Sequence, residues 1–208
     1  MRPGDRIRVR REPHRGRYDR ETIDAILDEA LVCHLGFEVD GQPHVIPTLH
    51  ARVGDRLYLH GSAASRLLRH AASGARMCAT VTIFDGLVLA RSVFNHSVNY
   101  RSVVVFGTAT LVDGDEKRAA LRALTEQLAP GRWDEARQPT EQELKATWIL
   151  SLPLDEASAK VRAGAEEDEP EDLELPVWAG VVPVHLAADP SDYDWRRVHE
   201  GRVGPPRG

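Results

Sequence analysis

The sequence predicts a mainly β protein: an antiparallel barrel of six to seven strands with peripheral helices. Three observations carry this prediction. Short runs rich in Val, Ile, Thr and aromatic residues recur along the chain. Turn pairs stand between them: Asp40-Gly41, Asp85-Gly86 and, after Val53, Gly54-Asp55. The strands follow one another as hairpins, without the regular strand–helix alternation of a parallel sheet.

Each element has its own signal. Asp19 is placed to cap a helix over 20–31, where Ile23, Ile26, Leu27, Ala30 and Leu31 recur at helical spacing. LVCHLGFEV and QPHVIPTLHARV flank Asp40-Gly41 as a hairpin. RLYLHG is the next strand, and 63–72 reads as a helix with Leu67, Leu68 and Ala71 apolar. MCATVTIF and LVLARSVF are expected to turn at Asp85-Gly86. NHSVNY is polar and irregular, and RSVVVFGTATLV is a long strand. A helix over 113–129 presents Leu121, Leu124 and Leu128 on one face, and Pro130-Gly131 ends it. Thr140-Glu141-Gln142-Glu143 has the form of a capping box for a short helix. WILSLPLDEASAKVRAG reads mostly as strand, and WAGVVPVHL as the last one.

Composition bounds the rest. The 208 residues suit one domain with a substantial core, and 42% are hydrophobic. No apolar run approaches the roughly 20 residues that cross a bilayer, and the first residues lack the apolar stretch of a secretory signal. Cys33 and Cys78 have neither metal spacing nor a disulfide framework, so they read as small buried hydrophobes in a reducing cytoplasm. The organisation expected is a basic arm over 1–18, one domain over 19–188 and a tail over 189–208. An acidic, exposed loop over 165–175 interrupts the domain. The net charge of −5 is unevenly spread. The first 20 residues hold eight arginines against three acids, and 166–174 holds seven acids in nine. The arm reads as a solvated terminus. Nucleic acid is not an expected partner, because neither a helix-turn-helix nor an aromatic RNP pattern is present.

Three stretches carry candidate chemistry. At His60-Gly61-Ser62-Ala63-Ala64-Ser65-Arg66 a strand runs into a helix. A helix start offers unpaired N–H groups to a phosphate. Gly61 would allow close approach, Ser62 and Ser65 can donate to phosphate oxygens, and Arg66 adds a charge-assisted contact. The plainer reading is a serine-capped helix after a glycine turn. Asn99-Tyr100-Arg101-Ser102 brings an amide, a phenol, a guanidinium and a hydroxyl to the start of a strand. It suits a phosphorylated planar ligand, or simply a strand that begins at the surface. Val45-Ile46-Pro47-Thr48 places a proline in an antiparallel ladder, which requires an edge or bulge. Such an edge can meet a ligand's ring, or can serve only to block aggregation. Together the stretches suggest a phosphate-bearing cofactor. The nine histidines, His44, His50 and His96 among them, show no metal-binding spacing, so no metal site is expected. No G-x-S-x-G elbow supports a serine hydrolase. Trp133, Trp148, Trp178 and Trp195 read as core or interface residues.

The order of these pieces resembles the flavin-binding split-barrel proteins, the pyridoxamine 5′-phosphate oxidase-like group, and within it the Nim-type 5-nitroimidazole reductases. The resemblance covers roughly 9–185. It rests on RVRRE, DGQPHVIPT, GDRLYLHGSAASR, NYRSVVVFGTATLV and VWAGVVPV. It implies FMN at a homodimer interface, with each site built from both subunits. Ser62, Ser65 and Arg66 would hold the phosphate with Gly61, Arg101 and Ser102. The backbone of Val45, Ile46, Pro47 and Thr48 would line the isoalloxazine. Asn99 and Tyr100 would sit near the ribityl chain or ring, and Trp178 would reach the flavin from the partner. His60 would lie beside the flavin as the catalytic residue, donating a proton during reduction. The implied activity is FMN-dependent reduction of a small planar acceptor such as a nitroaromatic, with NAD(P)H as donor. Alternatives are an F420-dependent reductase of the same fold and a non-catalytic flavin- or haem-binding sensor or storage protein. The chain lacks the Arg-Leu-x-Pro closure of true pyridoxamine phosphate oxidases. It ends GRVGPPRG, and its nearest string, Gln127-Leu128-Ala129-Pro130, lies mid-chain.

Overall fold

The computed structural model describes residues 4–187, so the expected tail over 189–208 lies outside the described residues. The elements, in chain order, are β1 (Gly16–Arg17), α1 (Arg20–Glu29), β2 (Val32–Val39), β3 (Gln42–Val53), β4 (Arg56–Ser62), α2 (Arg66–Ala72), β5 (Arg76–Leu89), β6 (Ser97–Thr108), β7 (Thr110–Val112), α3 (Gly114–Leu128), α4 (Arg132–Glu135), α5 (Glu141–Ala146), β8 (Thr147–Pro153), β9 (Glu156–Arg162) and β10 (Gly180–Pro183). Every strand pairing is antiparallel. The order across the sheet is β1-β9-β6-β5-β2-β3-β4-β8-β7, with β10 added to β5. The sheet curls until Gly107 of β6 meets β8, where an added Cβ would lie 2.9 Å from Leu152. This is the mainly β, split-barrel architecture expected.

Local chemistry explains the well-read elements. Asp40 (φ 51°) and Gly41 (φ 79°) both adopt left-handed backbone, the geometry that a two-residue hairpin turn requires. Asp19 accepts a hydrogen bond from the Thr22 N–H and starts α1. Both reciprocal bonds of the capping box form between Thr140 and Glu143.

The core lies inside the curl. Leu35, Leu57, Leu59, Val81, Val103, Leu150 and Leu152 pack against Ile23, Ile26 and Leu27 of α1 and Leu67 and Leu68 of α2. Cys33 lies in this core, and burial pushes its thiol up to about 12. A second cluster backs β3, β4 and β8, where Ala51, Tyr58 and Ile149 meet Ala120 and Leu124 of α3. On the other side of the β2–β5–β6 region the sheet shows apolar side chains to solvent. Val32, Val45, Phe84, Leu87, Val98 and Val182 are 37% to 67% exposed there.

Three expectations are corrected. Asp85-Gly86 is not a turn: β5 runs through it, and the register slips between Phe84 and Gly86 as a β-bulge. The glycine is needed because β10 crosses there, and an added Cβ would lie 2.9 Å from the Val182 carbonyl. WILSLPLDEASAKVRAG divides into β8 and β9, which lie in different parts of the sheet. The acidic loop is not wholly exposed either. The Asp168 side chain is 2% exposed and accepts from both the Arg91 N–H (2.7 Å) and its Nη1 (2.6 Å).

Candidate functional site

β4 alternates, as a strand must. Leu57 and Leu59 enter the core, while Tyr58, His60 and Ser62 take the face towards α3. Tyr58 donates to Glu116 Oε1 at 2.9 Å. Gly61 continues the strand rather than turning it. An added Cβ would lie 2.7 Å from Leu68 Cδ1, so the glycine makes room for α2 to fold back on β4.

The corner itself is tied from several sides. The Ser65 N–H donates to the Ser62 carbonyl (2.8 Å), the Ala64 N–H to Ser62 Oγ (3.2 Å), and the Ala63 N–H to the Ala146 carbonyl at the end of α5 (2.9 Å). Ser65 is the N-cap residue of α2, yet its side chain makes no capping bond. Its hydroxyl is unspent, beside a helix start whose first N–H groups lack helical partners. Arg66 opens α2, and its side chain lies outside what the structure describes.

His60 is half-buried, and its Nδ1 is shielded from solvent without a hydrogen-bond partner. Burial pushes its pKa below the ordinary 6.5. A neutral imidazole donates at one ring nitrogen and accepts at the other.

Val45 to Thr48 lie on the part of β3 that pairs with β2 alone, because β4 joins β3 only from His50 to Val53. Pro47 therefore stands at a one-sided ladder, as a proline in a sheet must. The register turns Val45 and Pro47 outward and Ile46 and Thr48 inward.

The β6 residues divide by face. Tyr100 and Ser102 lie on the helix-free outer side, and Ser102 Oγ donates to the Lys160 carbonyl at 3.3 Å. Asn99 and Arg101 point the other way, and both are engaged. Asn99 Oδ1 accepts from Arg162 Nη1 (2.7 Å) and the Gly164 N–H (3.2 Å), while Nδ2 donates to the Gly164 carbonyl (2.9 Å). Arg101 donates to both carboxylate oxygens of Glu29 and to Asp85, with Nη2 at 2.7 Å from each acid's nearer oxygen. These partners hold its guanidinium firmly charged. It is a clamp between α1 and the β5 bulge rather than an open phosphate contact. Trp178 is 63% exposed, with its ring over Gly180.

Within the chain the structure brings His60, Gly61, Ser62, Ser65 and the start of α2 together. The β6 residues stand apart, with β5, β2 and β3 between them and β4. Two features were missed. Thr147 pairs with Ser62 at the corner, and a cleft of about 250 Å³ opens from Thr147 towards Leu121, Trp133, Gln138 and Leu144. The Ser62–Thr147 contact arises from the long-range β4–β8 pairing, for which the sequence holds no local signal.

The family model described as pyridoxamine 5′-phosphate oxidase matches residues 19–161. The flavocytochrome Anf3 from Azotobacter vinelandii is 41% identical, covers 99% of this chain and 95% of its own, and superposes with a TM-score of 0.85. An FAD and haem binding protein from Mycobacterium smegmatis is 39% identical over 92% of this chain and 94% of its own, with a TM-score of 0.80. A candidate 5-nitroimidazole antibiotic resistance protein from Bacteroides thetaiotaomicron is 21% identical over 70% of this chain and 86% of its own (TM-score 0.60) and shares the fold. No curated protein sequence matches the chain. The family match spans most of the chain and the near-full-length likeness to two solved structures extends it: the chain belongs to the pyridoxamine 5′-phosphate oxidase family.

Proposed function

We propose that this chain is a flavin-binding redox protein that also takes haem, working as a homodimer. The observation that carries the reading is the near-full-length similarity, at 41% and 39% identity, to a flavocytochrome and to an FAD and haem binding protein. The corner fits the flavin part. Ser65 keeps an unspent hydroxyl at an uncapped helix start, and FMN and FAD both carry a phosphate for it to meet. FAD is the favoured flavin, because the mycobacterial relative binds it. FMN, implied by the wider resemblance, is the alternative.

The donor set also fits haem. Among the described residues His44 and His70 would be the candidates to hold haem iron, their rings flanking Phe37 with centroids 5.3 and 5.9 Å from it.

When bound, the two groups would supply one-electron chemistry and hydride acceptance. The chain's own part is to fix the flavin phosphate at Ser62, Ser65 and Arg66, and to present the one-sided β3 ladder at Val45–Thr48 to the ring. It also shields His60 from water. Tyr100 and Ser102 lie on the outer sheet face, away from the corner of their own protomer. A second copy on that face accounts for them, and for Trp178, as contributions from the partner.

The test is to purify the protein, record its absorbance, and identify released cofactors by mass. NAD(P)H is then offered as donor, and a nitroaromatic, or oxygen alone, as acceptor. A flavin mass with a haem spectrum supports the reading. An F420 mass moves the protein to the deazaflavin alternative. Tight binding without turnover by any donor leaves the sensor or storage role.

A further inference from the structure

Between α3 and α5 the chain forms a cleft of about 250 Å³. That is a little below the roughly 300–1,000 Å³ of a site for a drug-sized molecule, so it suits one bicyclic ring. Leu121, Trp133 and Leu144 give it apolar walls, and Thr125, Gln138 and Thr147 bring polar atoms. The loop that closes it is pinned. Glu126 accepts from the Gly131 N–H (2.6 Å) and the Trp133 N–H (3.1 Å), and Gln138 Nε2 donates to the Trp133 carbonyl (2.8 Å). A ligand that enters a preformed cleft bears little ordering cost.

The walls select the kind of ligand. Arg137 and Glu143, the charged residues of the lining, neutralise each other: Arg137 donates from both Nη atoms to the Glu143 carboxylate, at 3.0 and 2.7 Å. The cleft therefore offers no net charge to an anion. The amide nitrogen of Gln138 is engaged with Trp133, which leaves Oε1 to accept. Among the described residues Thr147 Oγ1 has no hydrogen-bond partner and can donate or accept. Adenine is flat and carries both an amine that donates and ring nitrogens that accept. Its edge matches Gln138 and Thr147, and its faces match an aromatic and aliphatic wall.

The position of the cleft selects the source of that ring. Thr147 pairs with Ser62 across β8 and β4, so the cleft opens one cross-strand step, about 5 Å, from the corner. The Ala63 N–H donates to the Ala146 carbonyl at 2.9 Å and ties the corner to the end of α5. FAD is FMN extended at its phosphate by an adenosine monophosphate group. A flavin phosphate at Ser62 and Ser65 leads that extension towards Thr147.

We propose that the α3–α5 cleft is the adenosine subsite for FAD, with Trp133, Gln138 and Thr147 as the residues that hold the base. The proposal rests on the flavin reading above and deepens it, because it names the part of the chain that selects FAD over FMN.

The test is titration of the cofactor-free full chain with FAD and, separately, with FMN, followed by flavin fluorescence. The unaltered chain binds FAD roughly 10- to 100-fold more tightly than FMN, the effect of one shielded base. Ala136→Phe, at another residue of the lining, fills the cleft and removes that advantage. FMN affinity, which also reports on folding, stays within about twofold. Thr147→Val removes one hydroxyl and lowers FAD affinity alone by about three- to tenfold. FAD and FMN bound alike by the unaltered chain, or weakened alike by the variants, overturn the subsite and leave the flavin reading standing. Loss of NADH binding in A136F with FAD affinity intact gives the cleft to the adenosine of a nicotinamide donor, which also overturns the assignment. A chain that binds neither flavin overturns the flavin reading, and the subsite with it.

Discussion

Arg101→Met separates the two roles available to this residue. Sequence alone suggests a phosphate ligand, whereas the structure shows a clamp that joins Glu29 of α1 to Asp85 of the β5 bulge. Charge-assisted hydrogen bonds contribute about 1.5–3 kcal/mol when well shielded. Here Arg101 is 30% exposed, Glu29 46% and Asp85 31%, so solvent screens the pair and the freed carboxylates can rehydrate. Methionine keeps much of the apolar stem. The expected cost is about 1–2 kcal/mol, which lowers Tm by about 2–8 °C for a chain of this size. The assay is thermal unfolding of the cofactor-free protein, paired with a flavin titration by fluorescence quenching. The clamp predicts lower stability with flavin affinity changed by less than about threefold. An unchanged Tm with a tenfold or greater loss of flavin affinity would refute it and restore the phosphate role.

Three further outcomes are expected. His50 is fully buried, donates through Nε2 to the Leu27 carbonyl at 2.9 Å, and has no partner at Nδ1; its pKa falls below 6.5, chiefly through burial. The unfolded chain therefore takes up the proton first. Stability is complete above pH 6.5 and falls as the pH drops below it, by up to about 1.4 kcal/mol per pH unit for this group. Urea midpoints between pH 5 and 8 check this, and a flat profile would contradict it. Gly86→Ala forces β10 away from the bulge at a cost of about 1–3 kcal/mol, read as faster amide exchange over 180–183. Ser65→Ala removes no capping bond, so stability moves by under about 0.5 kcal/mol. Flavin binding weakens all the same, and an unchanged flavin affinity would take Ser65 out of the site.

How far the sequence could be read depended on whether the deciding contact was local. Asp40-Gly41, the Asp19 cap and the Thr140–Glu143 box act within four residues, and each forms as its residues suggest. Asp85-Gly86 is also Asp-Gly, yet it bulges. What decides it is β10, which arrives from far along the chain and lays the Val182 carbonyl against Gly86. Gly61 is similar: Leu68, on the next helix, claims the space that its missing side chain leaves. The corner was legible because a strand, two hydroxyls and a helix start are contiguous in sequence. The β6 residues were legible only as a set. Alternation sends Tyr100 and Ser102 to the open face and Asn99 and Arg101 into internal bonds, and the identity of those partners, Glu29 and Gly164 among them, is a property of the fold.

The most direct test of the central claim is the absorbance spectrum of the freshly purified protein, with mass analysis of what heat releases. The account predicts the paired bands of oxidised flavin together with a haem Soret band, and an FAD mass. A colourless protein that takes up neither added flavin nor added haem would contradict it.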